Sequence, residues 1–326
     1  MDAMTVSATV PMDVQYPPAW LTWVSATTGC LRALGAGYDL ADVAGFSGYA
    51  FLMTVHEDLC PSGPTVFDWS MLMPGMAHLG RKAEMHHVPG CHSEGHKNDK
   101  TRANCRMVFQ AAAREIAAGR PCVIWGAYLP EFAIAVGVAD GAYRVRSFKG
   151  HMKQPEPPIP WDEVDAPGGP YTLTFPESTQ PNQADADRSA VAHALQMARA
   201  KPFDPRYATG LAAYDRWIAA LQSNKAAGFG NAYNAQCWAE ARQFAYKFLQ
   251  RLAERSPGNS ALKEAADAYG QVAEPMAKVA KLFPFFGEKK EVENADTRAA
   301  ACQHLAAAKT AEARGLAALE LGSAAP

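Results

Sequence analysis

The sequence predicts an α+β fold, in which a mixed helix-and-strand half is followed by an all-helical half. Three observations carry this. Residues 119–145 read as three short β-runs separated by turns, directly after a helical run at 108–118. Residues 188–321 are Ala-rich and almost free of β-branched alternation. Between the halves lies the polar, Pro-bounded stretch Pro176-Glu177-Ser178-Thr179-Gln180-Pro181-Asn182-Gln183, which reads as a linker. The expected domains are therefore 1–180 and 188–326.

In the first half, residues 19–34 predict a mostly buried helix, entered after Pro17-Pro18 and punctuated by Gly35 and Gly37. Residues 67–79 predict a second helix with Asp68 near its start. Residues 104–118 predict a third, closed by Gly119. Strand-like runs follow at 123–126, 133–138, 143–147 and 171–175. Helices first and a mainly antiparallel sheet afterwards is an α+β order.

The second half predicts a helical bundle. Leu211, Tyr214, Trp217, Ile218 and Leu221 make one apolar stripe at helical spacing. Trp238, Ala241, Ala245, Phe248 and Leu252 make another, and Cys302, Leu305, Ala308, Leu316 and Leu319 a third. Asn259-Ser260 offers an N-cap for a helix running toward Lys281.

Composition narrows the function classes. At 326 residues the chain can bury a real core, and 48% hydrophobic with 20% charged residues fits a soluble globular protein. A net charge of −2 gives no reason to expect a nucleic-acid or anionic-membrane partner. No window approaches about eighteen uninterrupted apolar residues, so no membrane span is expected. Residues 1–15 lack a basic segment followed by an apolar core, so no secretory signal is expected. Seven scattered cysteines, an odd number, argue for reduced thiols in a cytoplasmic protein.

Three constellations could carry chemistry. Residues 56–69 pack His56, Glu57, Asp58, Cys60 and Asp68 between two apolar runs, so this loop could line a ligand pocket beside a helix start. His86, His87, Cys91, His92 and His96, with Cys105 farther on, offer imidazoles and thiols for Zn or Cu, although their spacing matches no standard zinc finger. Glu131, beside Phe132 at the mouth of the predicted sheet, could act as acid/base or ligand anchor. Asn231, Tyr233 and Asn234 could hydrogen-bond a ligand or the other domain, while N-capping of the following helix explains at least one of them more simply.

The segments 31–40, 119–126, 134–145 and 170–176, with the later Gly230-Asn231-Ala232-Tyr233-Asn234, resemble the butirosin-biosynthesis-protein-H-like proteins. That family belongs to the papain-like superfamily. The resemblance implies a papain-like domain, an N-terminal helix packed on an antiparallel sheet, with a helical domain behind it. Active members resemble thiol proteases: a cysteine at a helix N-terminus, a histidine on a strand, and Asp or Asn on the next strand. A helix N-terminus and an imidazolium lower a thiol's pKa, which explains that layout.

This chain departs at all three places. Cys30 falls in the last turns of its helix, where the dipole disfavours a thiolate. The helix start, Leu21-Thr22-Trp23-Val24-Ser25, holds hydroxyls instead of a thiol. Glu131-Phe132-Ala133 stands where the histidine is expected, and Val145-Arg146-Ser147 where the Asp or Asn is expected. His151 lies beyond the strand. The leading expectation is a triad-less protein, accessory to a biosynthetic pathway, that binds a small molecule or peptide near Thr22, His56, Glu57, Cys60, Asp68 and Glu131. One alternative is an acyltransferase or amide hydrolase using Cys30 or Cys60 with His56. Another is a transition-metal protein built on the His/Cys loop; otherwise no cofactor is expected. A homo-oligomer is left open.

Overall fold

The computed structural model describes residues 6–88, 99–164, 167–223, 226–286 and 290–323. It is mixed α+β, with an antiparallel seven-stranded sheet and a C-terminal region of long helices. In chain order the elements are β1 (Ala8–Thr9), α1 (Thr22–Ala33), α2 (Leu40–Phe46), β2 (Thr54–His56), α3 (Met73–Met76), β3 (Glu84–His87), α4 (Asp99–Ala117), β4 (Cys122–Trp125), β5 (Phe132–Ala139) and β6 (Ala142–Arg146). There follow α5 (Phe148–His151), β7 (Ile159–Pro160), β8 (Tyr171–Thr174), α6 (Gln183–Ala198), β9 (Tyr207–Thr209), α7 (Leu211–Gln222), α8 (Gly228–Arg255), α9 (Ser260–Leu282) and α10 (Ala295–Ser323).

The chain divides into two units, Met1–Val43 with Met76–Pro181, and Ala44–Gly75 with Asn182–Pro326. In the first unit the strands run in the order β3-β8-β4-β5-β6-β7, and β1 pairs with the far half of β5. Every pairing is antiparallel. Along β6, Tyr143 and Val145 are buried while Arg144 and Arg146 are exposed, the period-two pattern of a strand covered on one face.

Helices α1 and α4 cover opposite faces of this sheet. Gly29 of α1 lies on Ile134 of β5: a Cβ there would fall 2.4 Å from Ile134 Cδ1 and 2.5 Å from Gln15 O, so only glycine permits the approach. Ala135, the next residue along β5, turns the other way and pairs with Val145. On that second face Phe109 of α4 stacks edge-on against Tyr143 at 4.9 Å.

The second unit joins α6–α10 to the 44–75 segment. Strand β2 pairs with β9, setting Thr54 opposite Thr209 and His56 opposite Tyr207. Phe46 and Phe51 meet Phe248 of α8 at 4.9 and 6.5 Å between ring centroids. His193 of α6 donates from Nε2 to the Ser47 carbonyl at 3.0 Å. At the centre, the fully buried Arg242 grips Glu312 through two bonds of 3.0 and 2.9 Å and donates to the Leu52 carbonyl at 2.7 Å. Tyr214 completes the carboxylate's shell. A charge this deep is tolerable only when it is paired and hydrogen-bonded.

These bonds explain where the units divide. A single cut near 176–183 assigns residues 44–75 to the first half, but their partners are Arg242, Phe248, His193 and Tyr207, far along the chain. The three apolar stripes fall on α7, α8 and α10, and Asn259 caps α9 by accepting from the Leu262 N–H. The single helix expected at 67–79 is instead a 3₁₀ turn, Trp69–Leu72, followed by the short α3. Pro74 and Gly75 shorten it, because proline tolerates only a helix's first turn and glycine weakens its interior.

Candidate functional site

In the first unit the candidate site forms where α1 starts and β5 starts. Pro17 and Pro18 hold the chain extended, and Leu21 occupies the N-cap without a side-chain cap. No acidic residue lies in the first turn of α1, so its N-terminus keeps a positive end. The sheet supplies the carboxylate. Thr22 Oγ1 donates to Glu131 Oε2 at 2.6 Å and accepts the Phe132 N–H at 3.1 Å. Thr22 is 8% exposed and Glu131 half-buried.

The hairpin between β4 and β5 aims Glu131. Gly126 N–H donates to the Glu131 carbonyl at 3.0 Å, and Glu131 N–H to the Leu129 carbonyl at 2.7 Å. Tyr128 sits at φ 69°, a left-handed conformation that tightens this turn. Behind Glu131 runs a row of rings: Phe132 on Trp125 at 4.6 Å, Phe132 on Tyr171 at 5.5 Å, and Tyr171 on His87 at 5.7 Å. Trp23 of α1 donates to Tyr171 Oη at 3.0 Å, fastening the helix start to the row. Trp125 Nε1 and His87 Nε2 donate to the carbonyls of Pro167 and Gly168, at 3.0 and 2.8 Å, and so set the turn before β8.

Cys30 is not placed for thiol chemistry. Cys30 is wholly buried in α1, and burial pushes its thiol well above the ordinary range, with Cys122 adding to the rise. A nucleophilic cysteine needs the opposite shift and access. The Ser147 N–H and hydroxyl both bind Glu156 Oε1, at 2.6 and 2.7 Å, and His151 ends the short α5 in an exposed position.

His56, Glu57, Cys60, Asp68, Asn231, Tyr233 and Asn234 belong to the second unit. Cys60 is half-buried; Ser62 Oγ donates to its sulfur at 2.9 Å, and Ser62 Oγ lies 2.7 Å from Tyr207 Oη. His56 packs edge-on against Tyr207 at 4.8 Å and accepts the Asp58 N–H on Nδ1 at 3.1 Å. That bond places the neutral ring's proton on Nε2. Glu57 stands 3.9 Å from Arg216. Asp68 caps the 3₁₀ turn through the Ser70 N–H at 2.9 Å.

Asn231 and Asn234 lie inside α8, past its N-cap at Ala227, so neither caps the helix. Both are fully buried. Asn234 Nδ2 donates to the carbonyls of Cys60 and Gly230, at 2.9 and 2.8 Å, and Asn231 Oδ1 accepts from Trp217 at 2.8 Å. Their amides hold α8 to the 59–63 loop and to α7. Gly230 makes that seating feasible, since a Cβ there would fall 2.0 Å from the Leu59 carbonyl oxygen. Tyr233 packs on Phe285 at 6.0 Å.

The His/Cys constellation is only partly in view, because Cys91, His92 and His96 lie outside the described residues. His86 and His87 are neighbours on β3 and therefore point to opposite faces of the sheet. Among the described residues, no group of three or more His, Cys, Asp or Glu is placed to hold a metal. None of their helices is long and apolar enough to cross a membrane.

Neither protein-family models nor curated proteins give a match to this chain. Sequence reasoning singled out Thr22 and Glu131 but missed the aromatic row and Tyr207. The row is legible only once strands 84–87, 122–125, 132–139 and 171–174 are placed side by side.

Proposed function

We propose that the first unit is a papain-like domain related to the butirosin-biosynthesis-protein-H-like proteins, in which the catalytic position has become a binding site. In this reading it holds a small molecule or peptide at Glu131, without thiol catalysis, as an accessory to a biosynthetic pathway. The observation that carries it is the bond from Thr22 Oγ1 to Glu131 Oε2 at the start of α1. A hydroxyl and a carboxylate occupy the two places where the family keeps a thiol and an imidazole. The carboxylate lies at the start of α1, where it can accept hydrogen bonds from a ligand that donates them. The buried Cys30 supports the same reading, since it has neither access nor a thiolate to offer.

A thermal-shift screen with dipeptides and small primary amines tests this. A compound that raises the Tm of the wild type should raise that of Glu131→Gln far less, with the variant still unfolding cooperatively. Equal shifts in both proteins would remove Glu131 from the site.

A second reading has one observation in its favour. The Tyr207–Ser62–Cys60 chain brings a hydroxyl donor to a half-exposed sulfur. The His56 Nδ1 bond to Asp58 counts against His56 as its base through that nitrogen. Iodoacetamide labelling separates the two, as set out below.

A further inference from the structure

We draw no further inference here: the strongest candidate, the aromatic patch of exposed Phe229 and Phe286 with half-buried Tyr233 and Phe285, where α8 begins and α9 ends, carries nothing because nothing in the structure shows what covers it.

Discussion

Thr22 Oγ1 lies 2.6 Å from Glu131 Oε2, so a single hydroxyl ties the first turn of α1 to the residue that leads into β5. The same oxygen accepts the Phe132 N–H. Thr22→Val removes both of these bonds while keeping the shape of the side chain. The expected cost is about 1–3 kcal/mol in urea unfolding, with Thr22→Ser recovering most of it. If Val costs no more than Ser, the link does not hold the site together.

The Arg242–Glu312 pair gives a sharper stability test. Glu312→Ala strands a buried guanidinium and removes the acceptor of Tyr214, at an expected cost of about 3–5 kcal/mol. The double variant Arg242→Met, Glu312→Leu removes both charges and should cost much less than Glu312→Ala alone, by the same unfolding measurement. A double variant as unstable as the single one would show that the pair contributes net stability beyond satisfying its own charges.

Two buried thiols set an alkaline limit on the first unit. Burial raises Cys30 well above the ordinary thiol range and pushes Cys122 up to about 12. Both stay protonated in the folded chain, whereas the unfolded chain ionises them near pH ~8.5. Their contribution is therefore complete below that pH and is lost as pH rises above it, by up to about 1.4 kcal/mol per pH unit for each thiol. Urea midpoints measured from pH 8 to 10 should fall in the wild type and flatten in Cys30→Ala, Cys122→Ala. An unchanged slope in that variant would mean other groups govern the loss.

Among the six described thiols, Cys60 and Cys302 are half-buried and Cys30, Cys105, Cys122 and Cys237 are buried. Burial also raises the Cys302 thiol. Short iodoacetamide exposure with peptide mass spectrometry should therefore label Cys60 first among these six. If the Ser62–Tyr207 chain activates that sulfur, Tyr207→Phe will slow its labelling several-fold. An unchanged rate leaves Cys60 an accessible cysteine and no more.

The parts of the fold set by local chemistry were legible in the sequence. Pro17-Pro18 and Gly35 bracket α1, Asn259 announces α9, and the 3.6-residue stripes of α7, α8 and α10 stand out from their alanines. Strands β4, β5, β6 and β8 fall within a residue or so of the predicted runs. Strand β3 escaped because Glu84-Met85-His86-His87 carries no apolar alternation; its pairing with β8 makes it a strand. The placement of residues 44–75 escaped for a similar reason, since Arg242 and Tyr207 lie far along the chain. At the site, Thr22 and Glu131 could be named, but that one hydroxyl serves both the carboxylate and the Phe132 N–H is a tertiary fact. In sequence Asn231 and Asn234 read as ligand-binding or helix-capping amides, and only packing shows them buried within α8.

Calorimetric titration of a compound from the dipeptide and amine screen, into wild type, Glu131→Gln and Cys60→Ala, tests the binding-site proposal most directly. Losing a charge-assisted hydrogen bond should weaken Kd about tenfold or more in Glu131→Gln, while Cys60→Ala binds as the wild type does. Unchanged affinity in Glu131→Gln, together with loss in Cys60→Ala, would contradict the account and place the site at the thiol.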